Sequence, residues 1–324
     1  MLGQNHEPLK ISDVFAAERR ERTLFPPSPL LSMAALNNLL GHQVYLKADC
    51  LLPTNAFKLR GAYNKISCLA EAEGRGIKVI TASSGNHGMA VAYSAMLAGI
   101  EATVAVPLPT PQIKKDCIRS YHAALLEHGQ VYNDTYEMAS KLAAEKGYYY
   151  VHSISDREII AGQGTISLEL LDQMPDVEQF IVPIGGGGLM SGIAFTLKTL
   201  RPQAKLIGVM AEGSAVFVES RKAKRPLTLD SVHSIADAIL NKAADEYLFP
   251  YIETYVDDIL TVSDTSIAKA VQTAFLAGKL VLEGAGAMPL AAVLEGKIDL
   301  GKKTALMCSG GNIDAALFAK CMDF

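Results

Sequence analysis

The chain has 324 residues, 49% of them hydrophobic and 20% charged, which gives a prior of about two domains at about 150 residues each and excludes a mainly disordered chain. Thirty basic residues against thirty-four acidic ones leave a formal charge of −4, so no nucleic-acid footprint is visible and a small-molecule partner is expected.

The first 25 residues, MLGQNHEPLKISDVFAAERRERTLF, carry charges throughout and no apolar core of signal-peptide length, so secretion is not expected. Cys50, Cys68, Cys117, Cys308 and Cys321 form no Cys-x-x-Cys pair, which argues against a disulfide frame or a structural zinc site and fits a reducing cytoplasm. In PTNAFKLRGAYNKI the residues Leu59, Ala62, Tyr63 and Ile66 form a helical apolar stripe with Lys58 at its edge. A lysine withdrawn from water is a nucleophilic amine for a Schiff base, whereas one that merely flanks a stripe snorkels. Next comes the clearest βαβ unit: the strand KVITA, the turn SSGNHG, the helix MAVAYSAMLAG and the strand ATVAVP. The turn Ser83-Ser84-Gly85-Asn86-His87-Gly88 aims several donors at one point, suited to a substrate carboxylate or to plain capping of the helix.

Helices are expected near Pro111–Tyr121 and Asp134–Lys146, then YYYVH closes this series. A second series follows with the helix EIIAGQGTISLELLDQM, the strand FIVPI, the loop Gly185-Gly186-Gly187-Gly188, the helix LMSGIAFTLKTL and the strand KLIGVM. The uncharged run from Gln179 to Leu197 holds Pro183 and four glycines, so it reads as strand, loop and helix, and no membrane span is expected. Four consecutive glycines between a buried strand and a helix let backbone N–H groups converge on an anion, with phosphate the natural occupant. The order is not that of a dinucleotide fingerprint, although Glu212 after the next strand leaves a nicotinamide reading open. Arg221–Leu229 is linker-like; then come the strand DDILTV, helices over Asp264–Gly278 and Ala285–Leu294, the strand TALMCS and a last helix from Asn312. Ser309, at the carboxyl edge of that last strand, is placed to bond a ring nitrogen or to cap the helix. The class is α/β with mostly parallel open sheets.

In chain order, FKLRGA, SSGNHG, IAGQGT, GGGGLMSG, SIADAI, EGAGA and CSGGN resemble the motif series of the serine/threonine dehydratase and serine racemase family, pyridoxal-phosphate enzymes of the tryptophan-synthase β fold. The resemblance covers about Leu24 to Asn312. It implies a large cofactor-binding domain of residues 1–75 and 153–324, a small mobile domain of residues 76–152, and a homodimer. It further implies that Lys58 carries pyridoxal phosphate, Phe57 lines the ring pocket and Asn86 bonds the ring hydroxyl. Gly185, Gly186, Gly187 and Gly188 would hold the phosphate, Ser309 the ring nitrogen, and Glu283 would border the cofactor. Ser83, Ser84, Gly85, Asn86 and His87 would take the substrate carboxylate.

The implied reaction is α,β-elimination from L-threonine or L-serine to a 2-oxo acid and ammonia, with amino-acid racemisation as the alternative. Ser84 stands where the family's racemases use a second acid. Departures from the pattern narrow the choice. Ala56 replaces a common serine, Met210 and Val216 stand where cation-using relatives carry acids, and Asp134-Thr135-Tyr136 lacks an arginine some racemases use. No metal is therefore expected. The chain stops at Phe324, which implies a catabolic enzyme without a regulatory domain.

Overall fold

The computed structural model describes residues 6–324. Along the chain come α1 (Ile11–Glu21), β1 (Leu30–Leu31), α2 (Ala34–Leu40), β2 (Val44–Ala48) and α3 (Lys58–Glu73). Next are β3 (Lys78–Ala82), α4 (Asn86–Ala98), β4 (Glu101–Val106), α5 (Gln112–Ser120), β5 (Ala124–Glu127), α6 (Tyr132–Lys146) and β6 (Tyr149–Tyr150). Then follow α7 (Arg157–Gln173), β7 (Gln179–Pro183), α8 (Gly188–Leu200), β8 (Lys205–Ala211), α9 (Val216–Ala223) and α10 (Phe249–Tyr255). The chain ends with β9 (Asp258–Val262), α11 (Asp264–Leu276), α12 (Gly284–Leu294), β10 (Thr304–Cys308) and α13 (Ala315–Cys321). None of the described helices is long and apolar enough to cross a membrane.

The chain divides into two compact units, the first comprising the described residues through Pro26 with Lys58–Gln163, the second Pro27–Phe57 with Gly164–Phe324. In the first unit a fully parallel sheet runs β5-β4-β3-β6. Successive side chains on a strand point to opposite faces, and the core divides accordingly. Val79 and Val104 pack with Ala62, Ile66, Ala90 and Ile159, whereas Ile80, Ala82 and Ala105 pack with Ala139, Ala143 and Tyr150. Both faces are covered, as a parallel sheet requires.

In the second unit the sheet runs β1-β2-β10-β7-β8-β9, with β1 antiparallel and the other pairings parallel. Every residue of β7 and β10 is buried. On one face lie Phe180, Val182, Leu206, Met210, Ala305 and Met307; on the other, Ile181, Ile207, Val209 and Leu306. The fold class is thus the α/β, mostly parallel arrangement that the alternation of elements predicts. The last helix starts at Ala315 rather than Asn312, because the Asp314 carboxylate accepts from the Ala316 and Leu317 N–H groups and caps it there.

The expected insertion of residues 76–152 lies inside the first unit, together with α1, α3 and the start of α7. The reason is packing: α3 lies against α4, and Ala62, Ile66 and Ile159 share a core with Val79 and Val91. α3 and α7 touch backbone to backbone. A Cβ on Gly61 would lie 2.6 Å from the Ile159 carbonyl, and one on Gly162 would lie 2.6 Å from the Gly61 Cα. The RGA and AGQ glycines are therefore a steric requirement of the helix crossing.

Gly162→Ala gains helix propensity but drives a methyl into backbone that cannot yield, so denaturant unfolding should show a net loss of about 2 kcal/mol. Gly76→Ala, where a Cβ meets nothing within 4 Å, should stay within about 0.5 kcal/mol of the parent. Equal effects of the two substitutions would refute the steric account.

Candidate active site

Ligands collect beyond the carboxyl ends of parallel strands where the strand order reverses. In the first unit the chain proceeds from β3 through β4 to β5 on one side and returns to place β6 on the other. The turns after β3 and β6 therefore flank the reversal. The first is Ser83-Ser84-Gly85, leading to α4 with Asn86 as its first residue and Gly85 as its N-cap. The Ser83 N–H donates to the Ala105 carbonyl at 3.0 Å, the Gly85 N–H donates to Ser83 Oγ at 3.3 Å, and a Cβ on Gly88 would lie 2.2 Å from the Ser83 carbonyl. This tight return sets Ser83 and Ser84 directly before the first N–H groups of a 13-residue helix, an arrangement that suits a carboxylate. Ser83, Ser84, Gly85 and Asn86 are partly exposed, while His87 is buried.

His87 Nε2 bonds the Val151 carbonyl at 3.1 Å, and Thr81 Oγ1 donates to the same oxygen at 2.9 Å. Burial pushes the imidazole down to about 3, with the positive Lys58 adding to the effect. The ring is neutral and committed to the backbone. What it offers a ligand is its main-chain N–H, so the side chain serves the turn rather than a carboxylate.

Lys58 is the first residue of α3 and is half-buried. Its Nζ donates to the Ser153 carbonyl at 2.6 Å, directly after the second flanking turn begins. The first unit thus brings together three things on one side of its sheet: the amine, the β3–α4 turn and the Val151–Ser153 segment. Ser153 was not legible as a site residue, since the group that matters is a main-chain carbonyl. The only signal was the polar run HSISD following the strand.

In the second unit the order reverses between β7 and β10. Gly185 to Gly188 follow β7. Gly187 has φ +95 and is the N-cap of α8, and a Cβ there would lie 2.8 Å from Phe217 Cζ. The first turn of α8 carries no acidic side chain, which leaves its positive end suited to an anion. Ser309 follows β10 and is 2% exposed. Its carbonyl accepts from the Phe57 N–H at 2.9 Å, and the Gly311 N–H donates to the Asn55 carbonyl at 2.9 Å. Asn312 Nδ2 donates to the Thr54 carbonyl at 2.9 Å. The segment Thr54–Phe57 is therefore zipped to Ser309–Asn312, and Phe57 packs against the core that includes Val182 and Met307. The buried Glu283 stands at the N-cap position of α12 without a side-chain capping bond, and its N–H donates to the Gly310 carbonyl at 3.1 Å. Met210 and Val216 are fully buried among apolar side chains, while Glu212 is exposed.

With this geometry in view, the family described as pyridoxal-phosphate dependent enzyme matches residues 22–310. The L-threonine ammonia-lyase of Thermotoga maritima is 37% identical over 316 residues, 97% of this chain and 78% of that protein. The catabolic L-threonine dehydratase TdcB of Staphylococcus aureus is 39% identical over 312 residues, 94% of this chain and 90% of that protein. The structure of maize serine racemase superposes with a TM-score of 0.90 at 31% identity, covering 98% of each chain.

The neutral His87 has a pH consequence. The unfolded chain takes up a proton at this residue below about pH 6.5, whereas the folded chain does so only near about 3. Stability present above pH 6.5 is thus lost as pH falls, by about 2–3 kcal/mol at pH 4.5. His87→Gln keeps a donor for Val151 without titrating, so the drop in melting temperature between pH 7 and pH 4.5 should shrink by roughly 4 °C. An unchanged drop would contradict the assignment.

Proposed function

The chain belongs to the family of pyridoxal-phosphate dependent enzymes, and from that premise we propose that it is an ammonia-lyase of the catabolic kind, converting L-threonine and L-serine to a 2-oxo acid and ammonia. The observation that carries the reading is Lys58, whose half-buried amine is fixed at 2.6 Å on a carbonyl beside a turn built for a carboxylate. Names of relatives support the substrate class: a threonine ammonia-lyase and a catabolic threonine dehydratase, each more than a third identical over most of this chain.

The residues fit the cofactor. Gly185, Gly186, Gly187 and Gly188 give a side-chain-free helix start for its phosphate. Ser309 offers a buried neutral hydroxyl, which suits a ring nitrogen left unprotonated. Phe57 supplies an aromatic wall, Asn86 an amide for the ring hydroxyl, and Glu283 borders the cofactor. Pyridoxal phosphate held by Lys58 would supply an electron sink for the substrate's α-carbon once the substrate amine takes the lysine's place, which leaves Nζ free as a base.

The rest is done by the chain. Ser83, Ser84, the Gly85 backbone, Asn86 and the main-chain N–H of His87 hold the carboxylate. Lys58 Nζ takes the α-proton, the β-hydroxyl departs as water, and one water returns when the product is hydrolysed, so the reaction needs no external oxidant or reductant. Residues 76–152 form the mobile part that excludes solvent during the reaction. Met210 and Val216 present no oxygen ligand, so no divalent cation is needed. The five cysteines are unpaired, in keeping with a cytoplasmic location. The resemblance to the family further supports a homodimer.

Racemisation is the second reading, favoured by the partly exposed Ser84 hydroxyl in the carboxylate turn and by likeness to the maize serine racemase. One assay separates the two. Purified protein given L-threonine or L-serine in EDTA should release 2-oxo acid, and Lys58→Ala should lower the rate at least about 10³-fold. Absence of oxo acid with D-serine accumulating from L-serine would replace the lyase by a racemase.

A further inference from the structure

β6 ends at Tyr150, and the Val151 N–H still pairs with the Ile80 carbonyl at 2.9 Å. From there the chain turns sharply into α7. His152 Nδ1 accepts from two main-chain donors inside this turn, the Ile154 N–H at 3.3 Å and the Ser155 N–H at 2.8 Å. Nδ1 must therefore be unprotonated, with any ring proton on Nε2. The residue enclosed by these bonds is Ser153, whose carbonyl receives Lys58 Nζ.

The far end of the turn is anchored separately. Asp156 pairs with Lys65 at 3.0 Å and its Oδ1 accepts from the Glu158 N–H at 3.0 Å. Arg157 pairs with Asp13 at 2.8 Å, and His6 Nε2 bonds the Ser155 carbonyl at 3.2 Å. The near end depends on the imidazole, which also lies against the Tyr150 ring at 6.4 Å between centroids. Removing the acceptor leaves two part-buried amides without it, and the first, the Ile154 N–H, belongs to the same peptide as the Ser153 carbonyl that faces the amine.

We propose that His152 is a positioning residue for Lys58, fixing the Ser153 carbonyl against Nζ through the acceptor Nδ1. The inference rests on the reading that Lys58 carries the cofactor. It makes a distinction among substitutions that bulk or ring packing does not. Asparagine places Oδ1 on Cγ, where histidine has Nδ1, and side-chain acceptors of that kind bond the backbone two residues on. Phenylalanine keeps the ring and its contact with Tyr150 but removes the acceptor.

The experiment compares holoenzyme of the parent, His152→Asn, His152→Phe and His152→Ala in threonine turnover, in the pH titration of the bound cofactor's visible absorbance, and in thermal melting. In His152→Phe and His152→Ala, kcat should fall at least about tenfold with KM changed less than about threefold, and the absorbance midpoint should move by at least about 0.5 pH unit. His152→Asn should recover kcat to within about threefold of the parent and restore the midpoint. Parental behaviour of His152→Phe, or a loss in His152→Asn equal to that in His152→Ala, overturns the proposal. Should the Phe and Ala variants not fold, His152→Asn decides alone: recovery supports the role and a loss of about tenfold refutes it. A parent without a cofactor band would instead sink the reading of Lys58.

Discussion

Parallel pairing of β3 with β6, Val79 opposite Tyr149 and Ile80 opposite Tyr150, is the constraint on which the chemistry of the first unit depends. Because β3 also pairs with β4, β6 must take the other edge of β3, and the turns after β3 and after β6 lie side by side where the strand order reverses. Val151 then accepts from both Thr81 and His87. Two donors on one carbonyl lock the start of the carboxylate turn to the start of the turn that faces Lys58. A one-residue slip of β6 would exchange the faces of Tyr149 and Tyr150 and carry the Ser153 carbonyl away from the amine.

The second unit follows the same rule. Its reversal lies between β7 and β10, so a glycine turn and a buried serine come to the carboxyl ends of neighbouring strands. Side chains are excluded at Gly187 by Phe217 and Ile252, and at Gly286 by the Gly310 backbone. These glycines forfeit chain entropy to let side chains approach the backbone at Gly187 and backbone approach backbone at Gly286. The ordering that results is visible in the zipper between Thr54–Phe57 and Ser309–Asn312.

Much of this was legible in the sequence. KVITA is β3, FIVPI overlaps β7 and TALMCS contains β10, because runs covered on both faces must be apolar throughout. The motif glycines were legible as well. Less so were the short elements, such as the two-residue β1 and β6, whose existence depends on partners far along the chain. The final helix, expected from Asn312, starts at Ala315 because Asp314 caps it. Asn312 is instead used to hold the Thr54 carbonyl. Compact units were hidden for a related reason. Composition does not mark α3 or the start of α7 as partners of residues 76–152; the core that Ala62, Ile66 and Ile159 share with Val79 and Val91 does. At the candidate site, Lys58 and the glycine turn carried side-chain signals, whereas the Val151 and Ser153 carbonyls carried none. His87 was readable as a donor, yet only its burial and its bond to Val151 show that the ring stays neutral.

The central claim is that Lys58 is the amine through which the chain holds pyridoxal phosphate. Borohydride reduction of the purified protein, followed by proteolysis and mass spectrometry of its peptides, tests this directly. The account predicts a pyridoxyl group on Lys58, within the peptide around FKLRGA. A pyridoxyl group on any other lysine, or none on a protein that nonetheless contains the cofactor, would contradict it.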